Sequence, residues 1–68
     1  MTITARRIKD LLGKRGWDET TLAKVSKLNQ PTVHRISSGE SKSPKIASLK
    51  AIAKALNVSV AYLTGEDD

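Results

Sequence analysis

Residues 19–39, ETTLAKVSKLNQPTVHRISSG, hold two short helical patterns separated by a tight break. In the first, Leu22 and Ala23 stand together; in the second, Val33 and Ile36 stand three apart, so each segment carries one apolar stripe of helical period. Helices this short, joined this closely, cross steeply rather than run side by side. A steep crossing needs a small residue where the two backbones approach, and Ala23, facing Val33 across the corner, fills that place. Leu28, in the break, plugs the bottom.

The sequence on either side supplies helix starts and stops. Thr4 reads as the cap of a first helix whose stripe is Ala5, Ile8, Leu11 and Leu12, because its hydroxyl can accept one of the orphan N–H groups of the first turn. Ile3 before that cap and Ile8 after it have the spacing of a hydrophobic staple, and Gly16 is a suitable stop. The same device recurs with Trp17, Asp18 and Leu22, then with Leu28, Asn29 and Val33. Trp17 is accordingly read as core rather than as a stacking platform. Residues 39–45, GESKSPK, contain no apolar side chain and form an exposed loop. After it, Ile46, Leu49, Ile52, Ala53 and Leu56 trace an amphipathic helix ended by Asn57. Its start has two readings, Ser43 with Pro44 at the first helical position, or a later start after Lys45. Ser59 caps a last short helix, VAYLT, closed by Gly65.

Size and charge bound what such a chain can do. Its 68 residues make one small domain. With no Cys and a single His, neither a disulfide framework nor a protein-built metal site is expected. No apolar run reaches the roughly 20 residues of a membrane span, and residues 1–5 lack the apolar core of a secretory signal, so a cytoplasmic protein is the expectation. The net charge is +5, but three acids stand at 66–68, which leaves residues 1–65 with 12 basic against 4 acidic side chains, +8 net. That balance suits a polyanion, although a merely solvated basic surface would look the same. Arg6, Arg7 and Lys9 crowd the start of the first helix, the unfavourable end for cations, which calls for either solvation or a nearby anion.

The placement of Leu22, Ala23, Leu28, Val33 and Ile36 resembles the helix-turn-helix of the phage-repressor (lambda-repressor-like, Cro-type) DNA-binding family. The run ALNVSVAYLTG at 55–65 resembles that family's closing segment, so the similarity extends from about Ile8 to Gly65. The resemblance implies an all-α, compact five-helix domain over residues 1–65 with the helix-turn-helix at helices 2 and 3. Residues 66–68 would be an acidic tail or the start of a linker to a further, dimerising domain of the kind many relatives carry. Three departures stand out. Glu19 occupies the place of a Gln that in the family bonds a phosphate, and a carboxylate there would repel one. Lys27 occupies the place of the turn's Gly, at a cost of roughly 1 kcal/mol for the left-handed conformation. Leu12 and Ser37 occupy the places of a buried Arg–Glu pair; losing both avoids an unpaired buried charge but removes a phosphate contact.

If Asn29 caps the second helix of the unit, then Gln30, Pro31, Thr32, His34 and Arg35 lie on its exposed side. In the family this helix enters the major groove, and the resemblance places Gln30, Pro31, Thr32 and Arg35 at base edges. Gln suits adenine N6 and N7, Arg suits guanine O6 and N7, and Pro31 offers only van der Waals contact, as to a thymine methyl. His34 reads either as a further DNA contact or as a neighbour with no specific role. Asn29, Lys42, Lys45 and Arg7 are the expected phosphate contacts.

These residues point to sequence-specific binding of double-stranded DNA by a homodimer, as a transcriptional regulator of repressor type acting in a bacterial or phage-infected cell. The other reading is a protein-interaction module of antitoxin or adaptor type. Catalysis is not expected: there is no Gly-rich phosphate loop and no carboxylate pair outside Asp67 and Asp68, hence no catalytic residue, cofactor or small-molecule substrate.

Overall fold

Four helices of the chain begin on a side chain that accepts a backbone N–H three residues on. Thr2 accepts from Ala5 at 3.1 Å, Asp18 from Thr21 at 2.8 Å, Asn29 from Thr32 at 2.9 Å and Ser59 from Tyr62 at 3.0 Å. The helices they open are α1 (Ile3–Arg15), α2 (Glu19–Ser26), α3 (Gln30–Ser37) and α5 (Val60–Thr64); α4 (Ile46–Leu56) starts after Lys45 with no side-chain cap. The computed structural model describes residues 2–41 and 43–66, and every regular element among them is helical. The expected all-α, five-helix architecture with its helix-turn-helix at the second and third helices is therefore present.

Helix ends follow the chemistry of their residues. Gly16 and Gly65 close α1 and α5 in the left-handed conformation, at φ 67° and 86°. Two non-glycine residues do the same: Lys27 after α2 at φ 62° and Asn57 after α4 at φ 58°. Asparagine tolerates this region better than lysine does. Lys27 holds it because its own amide reaches the Lys24 carbonyl at 3.3 Å and the Leu28 amide reaches Ala23 at 3.1 Å, the bonds that satisfy a helix C-terminus.

The core is built where these helices meet: Ile8 and Leu12 from α1, Leu22 and Ala23 from α2, Val33 and Ile36 from α3, Ile52, Ala53 and Leu56 from α4, and Leu63 from α5. α3 is held between α1 and α2, while α4 and α5 close the other side, α4 against α2 and α5, α5 against α1. Trp17 and Leu28 lie half-buried on the core that contains Leu22 and Val33, as their staple positions suggested. Full burial of each large side chain, such as Ile8 or Leu22, stabilises the fold by about 1.5–3 kcal/mol.

The structure settles three points of the sequence reading. The first helix begins two residues earlier than Thr4, on Thr2. The earlier start lengthens the hydrogen-bonded ladder and sets Ile3 against the bare Cα of Gly65, where a Cβ would come within 3.2 Å of Ile3 Cγ1 and Cγ2. Ile3 is then the first helical residue and 44 % exposed, so it does not act as a staple to Ile8. Second, of the two readings of the α4 start, the later one, after Lys45, holds and the one on Ser43 does not. Third, Ile46, assigned to the buried stripe of α4, is 58 % exposed, because it stands at the first position of its helix beside a loop without apolar side chains. Of the acidic tail at 66–68, Glu66 is tied to α5, its amide donating to the Ala61 carbonyl at 2.9 Å; Asp67 and Asp68 lie outside the described residues.

The corner between α2 and α3 gives a direct test of this packing. Ala23→Leu is expected to overpack the crossing and cost about 1–3 kcal/mol, a fall of roughly 4–8 °C in melting temperature per kcal/mol for a domain this small. A variant that melts with the parent would remove Ala23 from the closest approach of the two helices.

Candidate nucleic-acid interface

The amino end of α3 is prepared by Asn29 and Pro31 together. Asn29 turns its carboxamide oxygen onto the Thr32 amide, and Pro31, in the first turn, contributes no N–H where one would lack a partner. With Val33, Ile36 and Ser37 buried, the helix presents Gln30, Pro31, His34 and Arg35 to solvent and leaves Thr32 half-buried. These are the residues that sequence places on the reading face, and the structure brings them onto one exposed side of one helix.

Beside this face lies an open cleft of about 350 Å³ between α3 and the start of α4, lined by Thr32, Arg35, Ile36, Ser41, Ser43, Pro44, Lys45 and Ser48. The loop that forms its rim is folded back on α3, since the Ser41 amide donates to the Arg35 carbonyl at 3.0 Å. Lys45 thus comes beside Arg35 although ten residues separate them. Because Lys45 leaves α4 without a side-chain cap, the first amides of that helix lack the partner that Thr2, Asp18, Asn29 and Ser59 supply elsewhere, and such amides suit an anion. Sequence reading singled out Ser43 only as a possible cap of α4, and it singled out neither Ser48 nor the open amides of this start. The only available signal was the absence of Ser, Thr, Asp or Asn immediately before Ile46. Lys42, also expected to grip phosphate, lies outside the described residues.

Arg7, expected at phosphate, is engaged within the protein. Its Nη1 donates to the Tyr62 carbonyl at 2.8 Å, and the guanidinium lies 4.5 Å from the centroid of the Tyr62 ring. The side chain joins α1 to α5. Arg15 behaves similarly, donating to the Leu56 carbonyl at 2.6 Å at the end of α4 while lying 5.3 Å from the centroid of the Trp17 ring. A cation there also faces the favourable, negative end of the α4 dipole.

Glu19 makes contacts that its sequence position did not announce. Its carboxylate is turned onto α3, where Oε1 lies 3.0 Å from His34 Nδ1 and Oε2 accepts the hydroxyl of buried Ser37. The Ser37 hydrogen bond, chiefly, holds the Glu19 carboxyl below its ordinary value; burial opposes this, and His34 and then Lys9 add to it. The carboxylate is therefore engaged within the protein. The place left by the family's buried Arg–Glu pair is filled by Leu12 in the core and by Ser37 bonded to Glu19.

Residues 7–63 match the Cro/C1-type HTH DNA-binding domain. The chain is also 31 % identical over 67 residues to an uncharacterized HTH-type transcriptional regulator of Coxiella burnetii (strain RSA 493 / Nine Mile phase I). That alignment takes in 98 % of this chain but spans only 31 % of the relative's length.

The Glu19 contacts generate a pH-dependent prediction. A carboxyl whose folded-state pKa is depressed contributes stability that is present above its ordinary value, 4.5, and is lost as pH falls through the folded-state value. Glu19→Gln keeps a partner for Ser37 but no charge. Thermal melts from pH 7 to pH 3 should show the parent more stable at pH 7, with the gap closing below pH 4.5. A gap independent of pH would mean that the charge contributes nothing to the α2–α3 contact.

Proposed function

We propose, because the chain belongs to the Cro/C1-type HTH family of DNA-binding domains, that it reads specific double-stranded sequences with α3 in the major groove and represses transcription by occupying them. The observation that carries this reading is the single exposed face of Gln30, Thr32 and Arg35 joined to the cleft where Lys45 and the uncapped start of α4 wait for phosphate. Base edges and backbone can then be engaged together, which separates contacts that specify from contacts that position. The description of the Coxiella burnetii relative as a transcriptional regulator supports the regulatory half of the proposal. A family of DNA-binding modules gives no reason to look for catalysis, and no helix among the described residues is long and apolar enough to cross a membrane. The proposed setting is the cytoplasm of a bacterial or phage-infected cell.

In this reading Gln30 and Arg35 reach different base pairs, Thr32 lies between them and Pro31 gives apolar contact. Asn29, with its amide nitrogen left over from capping, and Lys45 hold the backbone. One domain of this size touches few base pairs, so two copies on a two-fold site are proposed to supply the needed length. Selection from a random pool of duplexes tests this directly. A symmetric pair of half-sites is expected, whereas an empty selection would favour the protein-interaction module.

Two outcomes are expected with the selected site. If each subunit holds about three phosphates, a dimer neutralises about six, and log K should fall with log salt at a slope of about −5. Lys45→Gln should weaken cognate and unrelated duplexes alike and flatten that slope. Gln30→Ala and Arg35→Ala should each cost about 1–3 kcal/mol on the cognate duplex and relax preference at one position per half-site. Variants that lose affinity while keeping every base preference would assign these two side chains to the backbone.

A further inference from the structure

His34 is the single histidine of the chain and stands on the exposed side of α3, 60 % exposed, with its Nδ1 held by Glu19 across the α2–α3 corner. An ionised carboxylate can only accept, so the ring nitrogen facing it must carry a hydrogen. That leaves Nε2, the outer nitrogen, bare when the ring is neutral and bearing a proton when it is charged. Glu19 thereby decides both the tautomer and what the ring offers outward. The carboxylate is itself fixed, because its second oxygen accepts from buried Ser37. Among the described residues, the charged groups bearing on this pair from the elements packed against α3 are Glu19 on α2 and Lys9 on α1, whose ammonium acts on Glu19; Arg35 is the neighbour on α3 itself.

We propose that Glu19 is a positioning residue for DNA recognition, holding His34 so that its Nε2 meets an acceptor on DNA and makes binding tighten as pH falls. The inference rests on the DNA-binding reading of α3 and adds a residue and a proton to it. With a neutral ring, Nε2 turns a lone pair toward an acceptor and is repelled. After protonation, Nε2–H donates to it while Nδ1–H stays on Glu19, and one proton per subunit is taken up with the DNA. The acceptor is a phosphate oxygen or the O6 or N7 edge of a purine, chemically alike from the side of the imidazolium.

Two measurements decide the matter. Nitrogen-15 spectra of the lone imidazole in the free protein at pH 8 should show the Nδ1–H tautomer; the Nε2–H tautomer would overturn the proposal. Duplex affinity is then measured from pH 8 to pH 5.5 at constant ionic strength for the parent, His34→Gln and Glu19→Gln, each first shown to be folded by its thermal melt. The parent should bind about ten-fold tighter per subunit at pH 5.5, the worth of a hydrogen bond to a charged group. His34→Gln keeps every other titrating group and should lose this gain. Glu19→Gln should show a smaller gain, because a ring no longer held by the carboxylate can carry its hydrogen on Nε2 and donate while neutral. A gain equal on cognate and unrelated duplexes supports a phosphate as the acceptor, and one confined to the cognate duplex supports a base. A parent profile that matches His34→Gln, or a Glu19→Gln profile that matches the parent, overturns the proposal while leaving DNA binding intact. A parent that binds no duplex at any pH overturns the DNA reading itself.

Discussion

The corner between α2 and α3 depends on Lys27 holding a left-handed backbone, φ 62°, where most side chains would not. The conformation costs roughly 1 kcal/mol. It is offset by the C-terminal hydrogen bonds of α2 and by the burial of Leu22, Ala23, Val33 and Ile36, which the turn brings face to face. Every later feature inherits its geometry from this turn. It sets which side of α3 is exposed, it places the loop after α3 over the start of α4, and it brings the first residue of α2 within reach of the second turn of α3.

That last consequence links stability to the candidate site. Glu19 stands at the start of α2, where its charge is favourable to the helix dipole, and its two oxygens reach Ser37 and His34 on α3. The same carboxylate therefore supports the corner from outside and arranges a side chain on the reading face. A Gln at this position could do the first with its neutral amide but would not provide the charge. The side chain that sequence reads only for its charge toward phosphate also makes an internal contact.

Much of the fold was legible because it is written in short-range chemistry. Asp18, Asn29 and Ser59 as caps, Gly16, Asn57 and Gly65 as stops, and the stripes of Leu22, Ala23, Val33 and Ile36 all act over three or four residues, the range in which periodicity carries information. Ambiguity arose where two local signals competed. Thr2 and Thr4 are equally good caps, and the choice was made by Ile3 resting on Gly65 at the far end of the chain. Ser43 with Pro44 suits a helix start, yet α4 begins after Lys45, and Ile46 lies beyond the region its helix buries. The candidate site was legible as a face, through Gln30, Thr32 and Arg35, but not as a cleft. Polar contacts such as Arg7 with Tyr62, Arg15 with Leu56 and Glu19 with Ser37 join residues 55, 41 and 18 apart. Such pairs leave no trace in spacing.

The central claim is that the exposed side of α3 and the uncapped start of α4 form one continuous surface for DNA. Titrating the labelled protein with a selected duplex and following its backbone amide resonances tests this most directly. The largest changes are predicted at residues 29–35 and 43–48, with the Arg7 and Tyr62 junction little affected. Changes concentrated on α1 and α5 around that junction, with α3 unmoved, would contradict the account.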